Sequence, residues 1–232
     1  MGLIPYASAL AVQQRFVAGR KSGAIGDVLL LCEHPHVITI GRNGHRNNLL
    51  VSENVLQQKA VELYETNRGG DVTYHGPGQI IGYPILDLGA ARKDVRWYVC
   101  SLEETMIRAT REFGVIAGRE EGKIGVWVGE AGRSEKLAAI GVHLSRWITS
   151  HGFAYNVSTD LDYFDLIVPC GIAGRKATSL EKLLGRNVYR EDVLEKITRN
   201  FGEVFDRKMT KGSLPECQKQ MDGFESAAVG RV

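Results

Sequence analysis

Apolar positions along the 232-residue chain follow two spacings that alternate several times. From Ile4 to Gly19 they recur every three to four residues, as on one face of a helix. Asp27 to Cys32 (DVLLLC) and Val37 to Ile40 (VITI) are short apolar runs parted by the break His34-Pro35, which predicts two buried strands. Ser52 suits the N-cap of a short helix reaching toward Ala60. Val61 to Asn67 alternates like a strand, and Gln79 to Leu86 is apolar enough for a buried one. Val95 to Phe113 is a long helical pattern. A strand-rich middle follows: Val115 to Gly118, Ile124 to Val128, Leu137 to Leu144 and Trp147 to Val157. Tyr189 to Phe205 is the last long helix, with Glu191 and Asp192 in its first turn, where the helix dipole favours acids. The residues beyond Thr210 are polar and predict a loose tail. This order implies an α/β (α+β) fold with a mixed sheet, without the strict βαβα rhythm of a doubly wound domain. The expected division is one domain over residues 1–210 and a flexible tail over 211–232, and the length allows a full core without staples.

Glycine changes the picture. The chain has 27 among 232 residues, roughly 12% against a usual ~7%, and they cluster. The densest cluster is Arg68 to Tyr83, RGGDVTYHGPGQIIGY, where five glycines and a proline sit among Thr73, Tyr74, His75 and Gln79. Such a stretch lets backbone approach something closely. Cys32, Cys100, Cys170 and Cys217 form no CxxC pair, and no apolar run has membrane-spanning length. With no leader pattern at its start, the chain reads as a cytoplasmic protein with free thiols, touching no membrane. The net charge of +2 gives no electrostatic reason for nucleic acid as a partner.

Several motifs fail on spacing. Gly76, Gly78 and Gly82 stand as GxGxxxG ahead of a strand, so they are no dinucleotide fingerprint. GREEGK at Gly118 to Lys123 misses the phosphate-loop spacing and carries two acids where phosphates would lie. There is no GxSxG elbow. Cys32, His34 and His36 alternate as zinc ligands would, but Pro35 interrupts them and no second ligand pair follows, so no metal is expected. Among the thiols, Cys170 stands apart. It lies in IVPCGIAGRKATS, with Pro169 before it, Gly171 leaving the sulfur uncrowded, and Arg175 and Lys176 adding positive charge. That setting suits a nucleophile and, on local sequence alone, equally suits a turn cysteine. Lys136 opens KLAAIGV, where an amine reaching an apolar pocket would serve as a base or as a cation beside a thiolate, although a solvated lysine at a strand entrance explains it as well.

Three segments decide together. RGGDVTYHGPGQIIGYP, KLAAIGVHLSRWITSHGFAYNV and PCGI resemble the lipoyl(octanoyl) transferases of lipoic acid biosynthesis, with the Arg-Gly-Gly, Thr-aromatic-His and Gly-Gln-x-x-x-Tyr elements in order. EHPHVITIGR and IPYASALAVQQRF fit as well, so the resemblance spans roughly residues 3 to 206. It implies the catalytic fold of lipoate–protein and biotin–protein ligases and an ATP-independent enzyme without a cofactor. The implied donor is octanoyl–acyl carrier protein. The implied acceptors are lysines on lipoyl domains of 2-oxoacid dehydrogenase E2 subunits and on glycine cleavage H protein. By motif, Cys170 would be the acyl-thioester nucleophile and Lys136 the partner that favours its thiolate. Arg68, Gly69, Gly70, Asp71, Val72, Thr73, Tyr74 and His75 would line the acyl site, completed by Ala139, Ile140, Gly141, Gly152, Phe153 and Ala154. Ile80, Tyr83, Ile140 and Phe153 are candidate walls for the eight-carbon chain or equally core residues, and Gly69, Gly70 or Gly171 are candidate oxyanion donors. His75 and His151 are open between a base role and a loop-orienting one. Residues 170–211 carry ten Lys and Arg against six Asp and Glu, an excess of four that suits an acidic protein partner or a solvated helix face. Rivals on the same fold are an ATP-dependent lipoate–protein ligase and a lipoyl amidotransferase, and outside catalysis a scaffold that only binds lipoyl domains.

Overall fold

The strand-rich middle meets the apolar runs Val28–Cys32 and Gln79–Ile85 in one large sheet, while Val37–Ile40 joins a smaller one. A computed structural model of the chain describes residues 1–130, 132–168 and 176–229. The helices are α1 (Tyr6–Ser22), α2 (Glu53–Gln58), α3 (Val95–Arg111), α4 (Leu180–Leu184), α5 (Arg190–Phe205) and α6 (Leu214–Val229). The strands are β1 (Val28–Cys32), β2 (Val37–Ile40), β3 (Glu62–Glu65), β4 (Val72–His75), β5 (Gln79–Ile85), β6 (Ala117–Glu120), β7 (Lys123–Val128), β8 (Glu135–Ser145) and β9 (Ile148–Asn156). Six of them form an antiparallel sheet in the order β1-β5-β9-β8-β7-β6. A second sheet, β3-β2-β4, is mixed: β2 runs parallel to β3 and antiparallel to β4.

Period-two alternation sends neighbouring residues of the large sheet into different cores. Ile80 of β5, with Phe153 and Tyr155 of β9, packs under α3 and α5 among Leu102, Met106, Ile197 and Phe201. Ile81, Tyr83 and Ile85, with Ala154, face Ala9 and Phe16 of α1. A third cluster, around Ile38, Val72, Tyr74 and Ile167, belongs to the small sheet. Helix ends follow their sequence signals. Asp94 Oδ1 accepts the Trp97 N–H at 2.9 Å to cap α3, and α1 closes on Gly23 at φ 79°. Ser52 stands at the N-cap of α2 but makes no capping bond through its side chain.

Two features differ from the sequence expectation. β4 emerges from the glycine-rich stretch, because Val72 to His75 alternates between glycines that permit its turns. The segment expected as a loose tail is the helix α6. Leu214, Cys217 and Met221, spaced three and four apart, form a stripe against the α1 side of the core, and Met221 is only 1% exposed.

Candidate active site

Arg68 organises the glycine-rich loop. Its guanidinium is buried and held by backbone and hydroxyl oxygens: Nη2 donates to Thr39 O at 2.6 Å and Asp71 O at 2.7 Å, Nη1 to Gly69 O at 3.0 Å, and Nε to Thr39 Oγ1 at 3.1 Å. A buried cation needs such partners, and here they fold residues 68–71 around it. The loop is also tied outward. Gly41 N donates to Asp71 O at 3.0 Å, Arg42 N to Arg68 O at 2.9 Å, and Gly69 N to Val142 O on β8 at 2.8 Å. The last bond uses the Gly69 N–H, which removes it from the candidate oxyanion donors. Close approach explains one glycine directly: a Cβ on Gly141 would lie 2.7 Å from Gly69 O and 3.1 Å from Arg68 Cδ.

The loop roofs a cavity of about 570 Å³. Among the residues expected at the acyl site, Arg68, Gly69, Gly70, Asp71, Val72, Thr73, His75, Ala139, Ile140, Gly141, Gly152, Phe153 and Ala154 line it. Register accounts for two of these groups. Across β8 and β9, Ala139 pairs with Ala154, Ile140 with Phe153 and Gly141 with Gly152, so two triplets distant in sequence share one patch of sheet. Tyr74 is a correction. It is fully buried on the opposite face of β4 from Thr73 and His75, with its hydroxyl 2.7 Å from His36 Nδ1 and its ring stacked 5.0 Å from Tyr163. Ile80 likewise is core under α3 and α5, not cavity wall, whereas Tyr83 does line the cavity. Sequence reasoning missed Tyr6, Asn43, Val95, Val99, Lys123 and Ile124 as lining residues. Only the tertiary fold brings those side chains there; Lys123 sits in the GREEGK segment, which as a motif signalled nothing.

Lys136 also lines the cavity. It lies on β8 opposite Trp127, and its Nζ stands 4.6 Å from the Trp127 ring centroid, a cation–π contact. Gly125 gives its stem room. At φ 128°, a Cβ there would meet Ala138 O at 2.6 Å and Lys136 Cε at 3.4 Å. The Gly125 N–H is held at 3.0 Å by Glu103 Oε1, a buried carboxylate whose other oxygen binds Arg119 Nε at 2.9 Å. Cys170 lies outside the described residues, as do Pro169 and residues 171–175. Their flanks are anchored. Val168 N donates to Asn48 O at 2.8 Å, and on the far side Lys136 N donates to Lys176 O and Thr178 N to Lys136 O, each at 2.9 Å. Residues 176–178 thus pair directly with the backbone of Lys136. Cys32 is fully buried and burial pushes its thiol up to about 12, while Cys100 and Cys217 are half-buried. His34 is committed to Ile4 O and Tyr83 Oη, each at 2.7 Å, which leaves the Cys32–His34 pair no role as ligands.

The sequence and the fold both have close counterparts. The family model of the lipoyl protein ligase A/B catalytic domain matches residues 5–202. An octanoyltransferase of Solibacter usitatus is 53% identical over 213 residues, covering 92% of this chain and 94% of its own. An octanoyltransferase of Caldicellulosiruptor bescii is 48% identical over 211 residues, covering 90% and 91%. The chain belongs to the octanoyltransferase family. It is therefore an acyltransferase. The fold of this octanoyltransferase-family chain matches that of a lipoate-protein ligase A solved with ATP bound, at TM-score 0.73 and 15% identity over 94% of this chain and 89% of the other. A putative lipoate protein ligase from T. acidophilum with bound lipoic acid gives the same TM-score, identity and coverage. Those likenesses establish the catalytic-domain architecture.

The histidines of this family site are held in the neutral form. Burial pushes His75 down to about 3, with His34 and Arg68 adding repulsion, and pushes His151 down to about 4, with Arg68 adding to it. Both imidazoles are neutral at pH 7. Burial also raises Tyr83 well above the ordinary phenol value. His75 Nδ1 is 2.9 Å from Gln79 Oε1 and Nε2 is 3.3 Å from Thr39 Oγ1; His151 Nε2 is 2.7 Å from Asn67 Oδ1. His75 thus ties β4 to β2, and His151 ties β9 to Asn67 at the entrance of the Arg68 loop. A cavity lined largely by apolar side chains and glycines, with neutral imidazoles and with Lys136 among its lining residues, suits a largely apolar chain ending in a reactive carbonyl.

Proposed function

We propose that the protein moves an octanoyl group from octanoyl–acyl carrier protein to a lysine of a lipoyl domain, through a thioester on Cys170 and without ATP. The observation that carries this reading is the position of Lys136. It lines the cavity, and its backbone pairs with residues 176–178, which begin six residues after Cys170 (176 minus 170). A cavity of about 570 Å³ falls within the ~300–1,000 Å³ usual for small-molecule sites and takes an eight-carbon chain with room for the reacting carbonyl.

The chemistry balances in two steps. Cys170 attacks as thiolate beside the Lys136 ammonium; its new C–S bond forms as the carrier C–S bond breaks, and the carrier thiolate takes a proton from Lys136. The acceptor lysine amine then attacks the Cys170 thioester. Lys136 takes its proton, an amide forms, and Cys170 leaves as thiolate. The first step exchanges like for like and the second runs downhill, so no nucleotide is required. The acceptors follow the family: lipoyl domains of 2-oxoacid dehydrogenase E2 subunits and the glycine cleavage H protein. Arg68 to Thr73 and His75, with the facing β8 and β9 triplets, bind the acyl group. The test is intact mass spectrometry after mixing with octanoyl–carrier protein. The expected result is one acyl adduct, labile to hydroxylamine and absent in Cys170→Ala. An adduct that survives the substitution refutes the assignment.

A further inference from the structure

A chain of buried hydrogen bonds starts at Arg68 and ends on the segment 176–178 that bridges to Lys136. Arg68 Nε and Nη2 donate to Thr39 Oγ1 at 3.1 and 3.0 Å. Thr39 Oγ1 is 3.3 Å from His75 Nε2, and His75 Nδ1 is 2.9 Å from Gln79 Oε1. Gln79 Nε2 donates to Asn156 Oδ1 at 2.8 Å, and Asn156 Nδ2 to Thr178 O at 2.9 Å. Thr178 N then donates to Lys136 O at 2.9 Å. Thr39, Arg68, His75, Gln79, Asn156 and Thr178 are all 8% exposed or less.

The direction of the chain is fixed at both ends. A guanidinium only donates, and a backbone carbonyl only accepts. If Thr178 O takes the Asn156 amide N–H, Asn156 turns its oxygen to Gln79. Gln79 then turns its oxygen to His75, which must carry its proton on Nδ1 and accept at Nε2 from the Thr39 hydroxyl. That hydroxyl accepts from Arg68, so its own hydrogen is free to donate. Every link has the right polarity and no alternative orientation satisfies both ends. A buried network satisfied in one way only specifies one arrangement.

We propose that Gln79 and Asn156 are positioning residues for acyl transfer. They lock residues 176–178 in register with Lys136 and with the loop that roofs the acyl pocket. This rests on the reading above, in which Cys170 and Lys136 act together. Neither Gln79 nor Asn156 lines the cavity, so neither shapes the acyl site directly. Cutting the chain frees residues 176–178 from this network, while the facing lining triplets of β8 and β9 stay paired through their own backbone.

The test compares Asn156→Leu, which cuts the last link with a side chain of similar size, with Gln79→Met, which cuts the link before it. Met221→Ala serves as a control that loosens the protein from α6, outside the hydrogen-bond chain and the cavity lining. Steady-state transfer from an octanoyl thioester is measured below the unfolding transition of each variant, with amide exchange at residues 176–178. The expected result for Asn156→Leu and Gln79→Met is a fall in kcat of roughly ten- to a hundredfold. KM for the thioester should stay within about twofold and exchange at 176–178 should quicken, with none of this in the control. Gln79→Met carries the test alone should Asn156→Leu fail to fold. Unchanged kcat in the two variants, or a kcat loss that the control shares, overturns the proposal while the acyl-enzyme reading stands. A wild-type protein that takes up no acyl group overturns that reading and this proposal with it.

Discussion

Lys136 depends on its neighbours for its place in the cavity lining. Gly125, whose amide is pinned by Glu103, leaves space for the stem, and Trp127 offers its ring to the ammonium. Gly125→Ala is therefore expected to lower transfer and to cost about 1–3 kcal/mol of stability, because its φ of 128° and the 2.6 Å approach to Ala138 O both resist a methyl group. Urea unfolding and a rate assay check both parts. Replacing Lys136 by Ala should move alkylation of Cys170, followed by peptide mapping, to higher pH; an unmoved profile would remove the electrostatic role. The buried histidines give a pH signature. His75 and His151 have folded values of about 3 and about 4, below the ~6.5 of an unfolded imidazole, so the unfolded chain binds protons first. Their contribution is complete above pH 6.5 and fades as pH falls toward 4 and then 3, by roughly 1.4 kcal/mol per pH unit for each. Urea midpoints from pH 7 to 4 should fall along this course, and His151→Asn should flatten it; an equal slope in the variant contradicts the assignment. Thr73 and Gly141 were placed at the acyl site by the motifs of the family resemblance, and both line the cavity. Tyr74 was placed there too, but only the alternation of β4 shows that it turns away from the cavity.

At the level of elements, the antiparallel β8–β9 pair builds the floor of the site. Its register sets Ala139, Ile140 and Gly141 against Ala154, Phe153 and Gly152, which motif reading had grouped without explaining why. The long helices α1, α3 and α5 and the strands of the middle were readable from periodicity, since each buries a continuous apolar face. β4 was hidden by its short length and glycine flanks. Helix α6 was hidden by its polar composition; among its described side chains, Leu214, Cys217 and Met221 dock it. Met221 fills the space above Gly19, where a Cβ would lie 2.8 Å from the sulfur. Met221→Ala is expected to cost roughly 2–5 kcal/mol by urea unfolding while leaving the transfer rate at low temperature unchanged. A loss of stability below 1 kcal/mol would mean that α6 is not docked there.

For the molecule as a whole, the fold alone does not choose between a ligase and a transferase, since the lipoate-protein ligase bound with ATP shares it. Relatives about half identical over nine-tenths of the chain place it with the octanoyltransferases. The proposed mechanism adds that Cys170 carries the acyl group between two proteins. The pairing of Lys136 with residues 176–178 could not be read from sequence, because it joins positions forty residues apart (176 minus 136) through backbone bonds that any residue can make. The most direct test is a chase. The protein is loaded from octanoyl–carrier protein, freed of donor, and mixed with apo lipoyl domain in the absence of ATP, with both masses followed in time. The expected result is that the octanoyl mass leaves the enzyme and appears on the lysine of the lipoyl domain at the same rate. An adduct that stays on the enzyme, or that moves only when ATP is supplied, would contradict the account.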